Sequence, residues 1–201
     1  MSRWPSGAQS RLERAALELF VEQGFADTTI PQITARAGLT TRTFFRHFAD
    51  KREVLFAYQA ELPTVVANVL ADTPTALGPM DAIVQGLQTV ATELEGQRDY
   101  LLTRRGIIET DDGLRERELR KQSVLSDAIR HGLLRRGVDE LTATLIAQIA
   151  VSVFGVAVTR WLDQGEQRSL LQVLDETLTA LAVLAAHPTA PAPDPALTDK
   201  P

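Results

Sequence analysis

The strongest constraint on this chain lies between Thr29 and Lys51, where two short helical patterns meet at Ala37-Gly38-Leu39. The first opens on Thr29-Ile30-Pro31-Gln32. A threonine hydroxyl there can accept from the backbone three residues on, while the glutamine reaches back. Pro31 is tolerated because first-turn N–H groups have no intrahelical partner. Ile30, Ile33 and Ala37 mark one inner face, Gly38 supplies the stop, and Leu39 plugs the turn. Thr40 opens a second helix, from about Thr41 to Phe48. Phe44 and Phe48 stand one turn apart and should point inward. What remains outside is Thr41, Arg42, Thr43, Phe45, Arg46 and His47, with no acid among them.

Helix, glycine turn, helix is an arrangement that enters a DNA major groove. Arginine can reach guanine edges or phosphates there, and threonine can meet a phosphate or a thymine methyl. The plainer alternative is a solvated surface helix in an ordinary bundle. Before this stretch, Ser10-Arg11-Leu12-Glu13 predicts a capping box, and Leu12, Ala15, Ala16, Leu19 and Phe20 line one face of a supporting helix. Gly24 can take the left-handed stop, with Phe25 folding back. Residues 1–7 read as a frayed end, in which Arg3 is either a minor-groove arm or part of a solvated tail. After it, Asp50-Lys51-Arg52-Glu53 opens a fourth helix.

The run Thr28-Thr29-Ile30, Ile33, Ala37-Gly38-Leu39-Thr40, Thr43-Phe44-Phe45-Arg46-His47-Phe48, Asp50-Lys51 and Val54-Leu55 resembles the N-terminal domain of TetR-type transcriptional regulators. The resemblance is close from residue 10 to about 57, and beyond that it is one of architecture only. It implies an all-α fold of about nine helices, with a DNA-binding head (1–57) and a ligand-binding and dimerisation body (58–187). A flexible Pro-rich tail (188–201) follows. It implies contacts to DNA from Thr29, Thr41, Arg42, Thr43, Phe45, Arg46 and His47, and a phosphate clamp at Lys51. Position 45 often carries tyrosine in such proteins. Phe45 has no hydroxyl and keeps only apolar contact. Thr34 stands where alanine is common.

The charge is distributed to suit this reading. Residues 1–60 hold eight Lys/Arg against six Asp/Glu, and residues 61–201 hold thirteen against twenty. An acidic body is repelled by phosphates and leaves the head to face DNA.

The fourth helix should run from Lys51 to about Leu70, where Pro63 either kinks it or starts a separate helix. A fifth is expected from Pro79 to about Glu95, stopped by Gly96, and a sixth over Arg98 to Glu109. The seventh should reach about Arg136, capped by Asp111 or Asp112. An eighth spans Asp139 to Leu162 and a ninth about Arg168 to Ala186. The eighth is apolar around its circumference from Leu145 to Val158, which predicts burial on more than one side and too short a run to span a bilayer comfortably. Two apolar final helices fit a homodimeric four-helix interface or a monomer core. A pocket for a small-molecule effector is expected among the fourth to eighth helices. Its candidate lining is Phe56, Met80, Val84, Leu87, Tyr100, Ile107, Phe154 and Trp161, with polar contacts from Gln85, Arg104 and Arg105. A lipophilic ligand with one acidic group would suit those residues.

Catalysis is not expected. His47, His131 and His187 lie far apart, without metal-ligand spacing, and no nucleophile elbow or phosphate loop is present. Glu116 and Glu118 read as a solvated charge run. No cofactor is implied. With no cysteine and no apolar leader, the expected location is the cytoplasm. The expected function is a ligand-responsive homodimeric repressor released from a pseudo-palindromic operator. The alternative is a helical ligand-binding or interaction protein that has lost specific DNA binding.

Overall fold

A computed structural model describes residues 7–60, 62–74 and 76–186; the readings of Arg3 and of the 188–201 tail lie outside them. Among the described residues the protein is all-α, with nine helices and no strand. They are α1 (Ala8–Gln23), α2 (Ile30–Ala37), α3 (Thr41–His47), α4 (Leu62–Asp72), α5 (Pro79–Leu94), α6 (Arg98–Glu109), α7 (Asp112–Arg135), α8 (Glu140–Trp161) and α9 (Leu170–Ala186). Two 3-10 segments, Glu53–Ala60 and Glu95–Gln97, complete the set.

Most boundaries follow from local chemistry. Thr29 and Gln32 form the reciprocal box that opens α2, the Thr29 N–H donating to Gln32 Oε1 at 2.8 Å. Gly38 closes α2 at φ 62° and ψ 39°, where a side chain would be strained, and a Cβ there would also stand 2.9 Å from the Arg11 guanidinium. Asp111 and Asp139 accept from the Leu114 and Thr142 N–H groups, opening α7 and α8. Ser169 and Gln172 make a second reciprocal box before α9, a signal the sequence reading passed over when it began that helix at Arg168.

Four expectations need correction. The first helix starts at Ala8, so Ser10 is buried inside it and caps nothing, while Glu13 accepts from Gln9 at 2.9 Å. The extra turn places Ser10 within the helix, where it is 7% exposed. Gly24 has a positive φ (88°) but its ψ of 157° lies outside the left-handed helical region. The fourth helix does not run unbroken from Lys51: a 3-10 segment precedes α4, and of the two readings of Pro63 the separate helix stands, with the proline in its first turn, where it removes no ladder bond. Gly96 does not end the fifth helix cleanly, because the chain passes through a 3-10 turn into α6.

The core divides into three clusters. One joins α1, α2 and α3 with Val54, Leu55 and Phe56, and it also takes in Ile107, Ile108 and Leu114 from the α6–α7 corner. A second gathers Leu70, Ala82, Ile83, Ile129, Leu133, Ala143, Ile146, Ala147 and Ala150 from α4, α5, α7 and α8. A third joins α5, α8 and α9 around Trp161, Leu170, Val173 and Leu174. The helix α4 crosses α7 closely at Gly132, where a Cβ would lie 2.5 Å from Leu70 Cδ1.

Arginines close the helix ends between these clusters. Arg136 donates to the carbonyls of Leu70, Thr73 and Pro74 (2.8, 2.6 and 2.9 Å), at the end of α4. Arg98 reaches Trp161 O and Glu166 O, and Arg105 reaches Leu162 O, at the end of α8. Cations suit these sites because the terminal carbonyls of a helix lack backbone partners.

Although α8 is long and apolar enough by length and composition to cross a membrane, it is not buried all round. Ala143, Ala147, Ala150, Val153, Ala157 and Trp161 face the protein, while Leu141, Leu145 and Val156 are exposed. Val183 and Leu184 of α9 are exposed as well.

Candidate nucleic-acid interface

The outer face of α3 is built by what its inner face does. Phe44 is fully buried and Phe48 is 3% exposed, with ring centroids 5.4 Å apart. This pair fixes the rotation of a helix only seven residues long. The cap at Thr40 fixes its start: the hydroxyl accepts from Thr43 N–H at 3.2 Å and meets the Thr43 hydroxyl at 3.0 Å. Thr41, Arg42, Phe45 and Arg46 are therefore turned to solvent, with Thr43 and His47 half-exposed beside them. Thr40, Arg42, Thr43, Phe45 and Arg46 line a shallow depression on this face.

Neither Arg42 nor Arg46 is paired with an acid among the described residues; Arg46 meets only the neighbouring His47 ring, at 3.4 Å. The exposed Arg36 of α2, by contrast, is spoken for. Arg36 forks onto Glu22 at 2.9 and 2.7 Å and raises its own pKa chiefly through that hydrogen bond. Two cations on one outer face thus keep their donors available. Phe45 is 56% exposed, and its ring stands edge-on to Phe44 at 5.6 Å, so an apolar surface is held out among polar ones.

Thr29 and Lys51 are placed differently from the α3 set. The Thr29 hydroxyl is engaged with Gln32, donating to Oε1 at 2.9 Å. Lys51 Nζ donates to three carbonyls, those of Phe25 (2.7 Å), Ala26 (3.0 Å) and Thr28 (2.9 Å). Partial burial lowers its pKa, as does the neighbouring Arg52 charge, although Asp111 and Asp27 pull the other way.

The candidate effector residues do not all come together: Leu87, Phe154 and Trp161 share the third cluster, and the others are dispersed. Phe56 and Ile107 belong to the head cluster. Arg104 is committed to Leu55 O at 2.8 Å and to Glu118 at 2.5 Å, and lies over the Phe56 ring at 5.0 Å. Arg105 is taken by the end of α8. Trp161 is buried under Arg98. Gln85 is exposed, and Val84 and Tyr100 are half-buried. Met80, Leu87 and Phe154 pack against the second and third clusters. Glu118 is not part of a solvated run: it turns inward to Arg104, while Glu116 pairs outward with Arg120. Spacing alone already puts these two glutamates on different faces, about 200° apart around a helix; what it does not give is the Arg104 partner on the inner side.

Residues 13–58 match the family model of bacterial regulatory proteins, tetR family. The regulator SrpR of Pseudomonas putida is 32% identical over 163 residues, covering 78% of this chain and 74% of SrpR.

The chain belongs to the tetR family.

It is also similar to TcmR of Streptomyces glaucescens, a transcriptional regulator, at 31% identity over 65% of this chain; the match spans 61% of TcmR. Among solved structures, the tetR-family repressor FadR of Thermus thermophilus, in complex with lauroyl-CoA, superposes with a TM-score of 0.58 at 25% identity. It covers 92% of this chain and 99% of that one. The SmeT–triclosan complex shares the fold, with a TM-score of 0.62 at 21% identity over 86% and 90% of the two chains. These tetR-family relatives are named as transcriptional regulators, and none of the names denotes an enzyme.

Proposed function

We propose that this tetR-family regulator is a homodimeric repressor that binds a pseudo-palindromic operator and leaves it when a small molecule occupies the helical body. The observation that carries the DNA reading is the acid-free outer face of α3, with Arg42 and Arg46 unpaired by acids and Phe44 and Phe48 fixing their direction. In this reading α3 lies in the major groove. Thr41, Arg42, Thr43, Phe45, Arg46 and His47 meet bases and adjacent phosphates, and Thr29 meets the backbone through the start of α2. Two heads would read half-sites ~34–36 Å apart, or a multiple of that.

The exposed apolar residues of α8 and α9 support pairing of two copies through these helices, because leaving Leu141, Leu145, Val156, Val183 and Leu184 in water is unfavourable. The effector is read as lipophilic, and the relative that crystallised with lauroyl-CoA supports that class. An acidic group on it finds less support, since Arg104 and Arg105 are engaged with protein acceptors. Met80, Leu87 and Phe154 remain the candidates for contact. To act, the ligand must bind the released state more tightly than the operator-bound one.

Capture of genomic fragments on the immobilised protein, followed by sequencing, tests the reading. A shared palindromic sequence among the captured fragments is expected. Capture without any enriched sequence would leave only a helical ligand-binding protein.

A further inference from the structure

The resemblance assigns Lys51 to a DNA phosphate, yet its ammonium is already saturated. An ammonium has three N–H donors, and here three carbonyl oxygens, those of Phe25, Ala26 and Thr28, lie 2.7, 3.0 and 2.9 Å from the nitrogen. The Phe25 ring lies under the charge at 4.4 Å. The carbonyl between those of Ala26 and Thr28, Asp27 O, accepts from Gln23 at 3.2 Å. Four successive carbonyls between α1 and α2 are therefore all held by side chains, three of them by one lysine more than twenty positions away.

The loop leads directly into the α2 cap. Thr28 is 1% exposed and its hydroxyl donates to Gly24 O at 2.7 Å. Gln23 also donates to Gln32 Oε1 at 3.2 Å, the same atom that takes the Thr29 N–H. Moving the loop would move the box at Thr29, and with it the angle at which α2 sets α3 into a groove.

We infer that Lys51 is a positioning residue for DNA recognition, holding the α1–α2 loop and the start of α2 in register instead of gripping a phosphate. This rests on the DNA reading proposed above. Lys51→Met keeps the stem and removes the charge. Lys51→Arg keeps the charge, but a planar guanidinium cannot converge on three carbonyls around one nitrogen. A phosphate clamp would survive the second change, and the tripod would not.

The test has two arms, both run on the full chain at a temperature where circular dichroism shows each variant fully folded. In DNA-free protein, amide exchange at Thr29, Gln32 and Ile33 should speed up in both variants, on the order of tenfold. In the second arm, a duplex selected by the unaltered protein from a random-sequence pool is titrated at several salt concentrations. Both variants should bind it about tenfold more weakly, with the slope of log affinity against log salt unchanged. Unaltered affinity in Lys51→Arg, a slope smaller by about one in Lys51→Met, or unaltered exchange would each overturn the assignment. If the unaltered protein selects no duplex, the DNA reading fails, and the exchange arm alone decides whether Lys51 holds the loop.

Discussion

Arg117 of α7 holds the Asp50 carboxylate with both terminal nitrogens, at 3.0 and 2.8 Å, and so joins the first turn after α3 to the long helix of the body. Asp50 also accepts from the Glu53 N–H at 2.9 Å, and Glu53 in turn takes Arg117 and Lys121 at 3.0 and 2.9 Å.

Replacing Arg117 should weaken this junction in a pH-dependent way. Partial burial pushes the Asp50 pKa up, but the hydrogen bonds from Arg117 and the Glu53 backbone, with the guanidinium charge, leave it below the usual value. A carboxylate held low stabilises the fold above its ordinary range, and that contribution fades as pH falls through the folded value. Arg117→Met should therefore cost about 1 kcal/mol near neutral pH, these groups being partly screened by solvent. Urea titrations at pH 7 and at progressively acid pH should show the penalty shrinking below about pH 4. A constant penalty throughout would mean that Arg117 acts by packing alone.

The crossing of α4 and α7 admits no side chain at Gly132. Alanine would gain about 1 kcal/mol of helix propensity but would place its Cβ against Leu70, which is 2% exposed and has little room to turn. Overpacking of about 1–3 kcal/mol should exceed the gain, lowering the thermal midpoint. Adding Leu70→Val should return part of the loss. Two single changes whose penalties simply add would show that they do not meet.

Arg42→Ala and Arg46→Ala should separate binding from folding. Each side chain is exposed and unpaired with an acid, so the unfolding midpoint should stay within about 0.5 kcal/mol of the parent. Gel shifts with the selected duplex should fall by about tenfold or more for each, in line with losing a base or phosphate contact of about 1–3 kcal/mol. Unaltered binding in both would remove α3 from the groove.

Leu145→Glu combined with Val156→Glu should yield single chains in sedimentation, where the parent is expected to sediment as two. Both positions are more than half exposed on the outer face of α8, so the helix should still form. A parent that is already a single chain at micromolar concentration would end the dimer reading.

How far the sequence could be read depended on the distance over which the deciding contacts act. The cap at Thr29, the turn at Gly38 and the inward pair Phe44 and Phe48 are all settled within four residues, and each stands as the residue pattern implies. Of the two cap candidates for α7, Asp111 holds the position. Ser10 misled because a capping pattern can also lie one turn inside a helix when its serine fits the core. The pocket candidates were harder. Arg104, Phe56 and Ile107 are apolar or cationic residues at helical spacing, and nothing local says which cluster each will join. Their partners, Leu55 and Glu118 for Arg104, come from other elements. The engagement of Lys51 was hidden for the same reason: a lysine at a helix start says nothing of a loop 23 to 26 positions earlier.

The α6–α7 corner supplies Ile107, Ile108 and Leu114 to the same cluster as Leu12, Phe20 and Phe44. A head cut at residue 57 would leave that wall open, with apolar side chains facing water and Phe56 stripped of its cover. This head is therefore not a self-contained cassette. A chimera that borrows this recognition helix for a foreign sensor must also graft the corner against which it folds, or find a recipient whose own corner has the same shape.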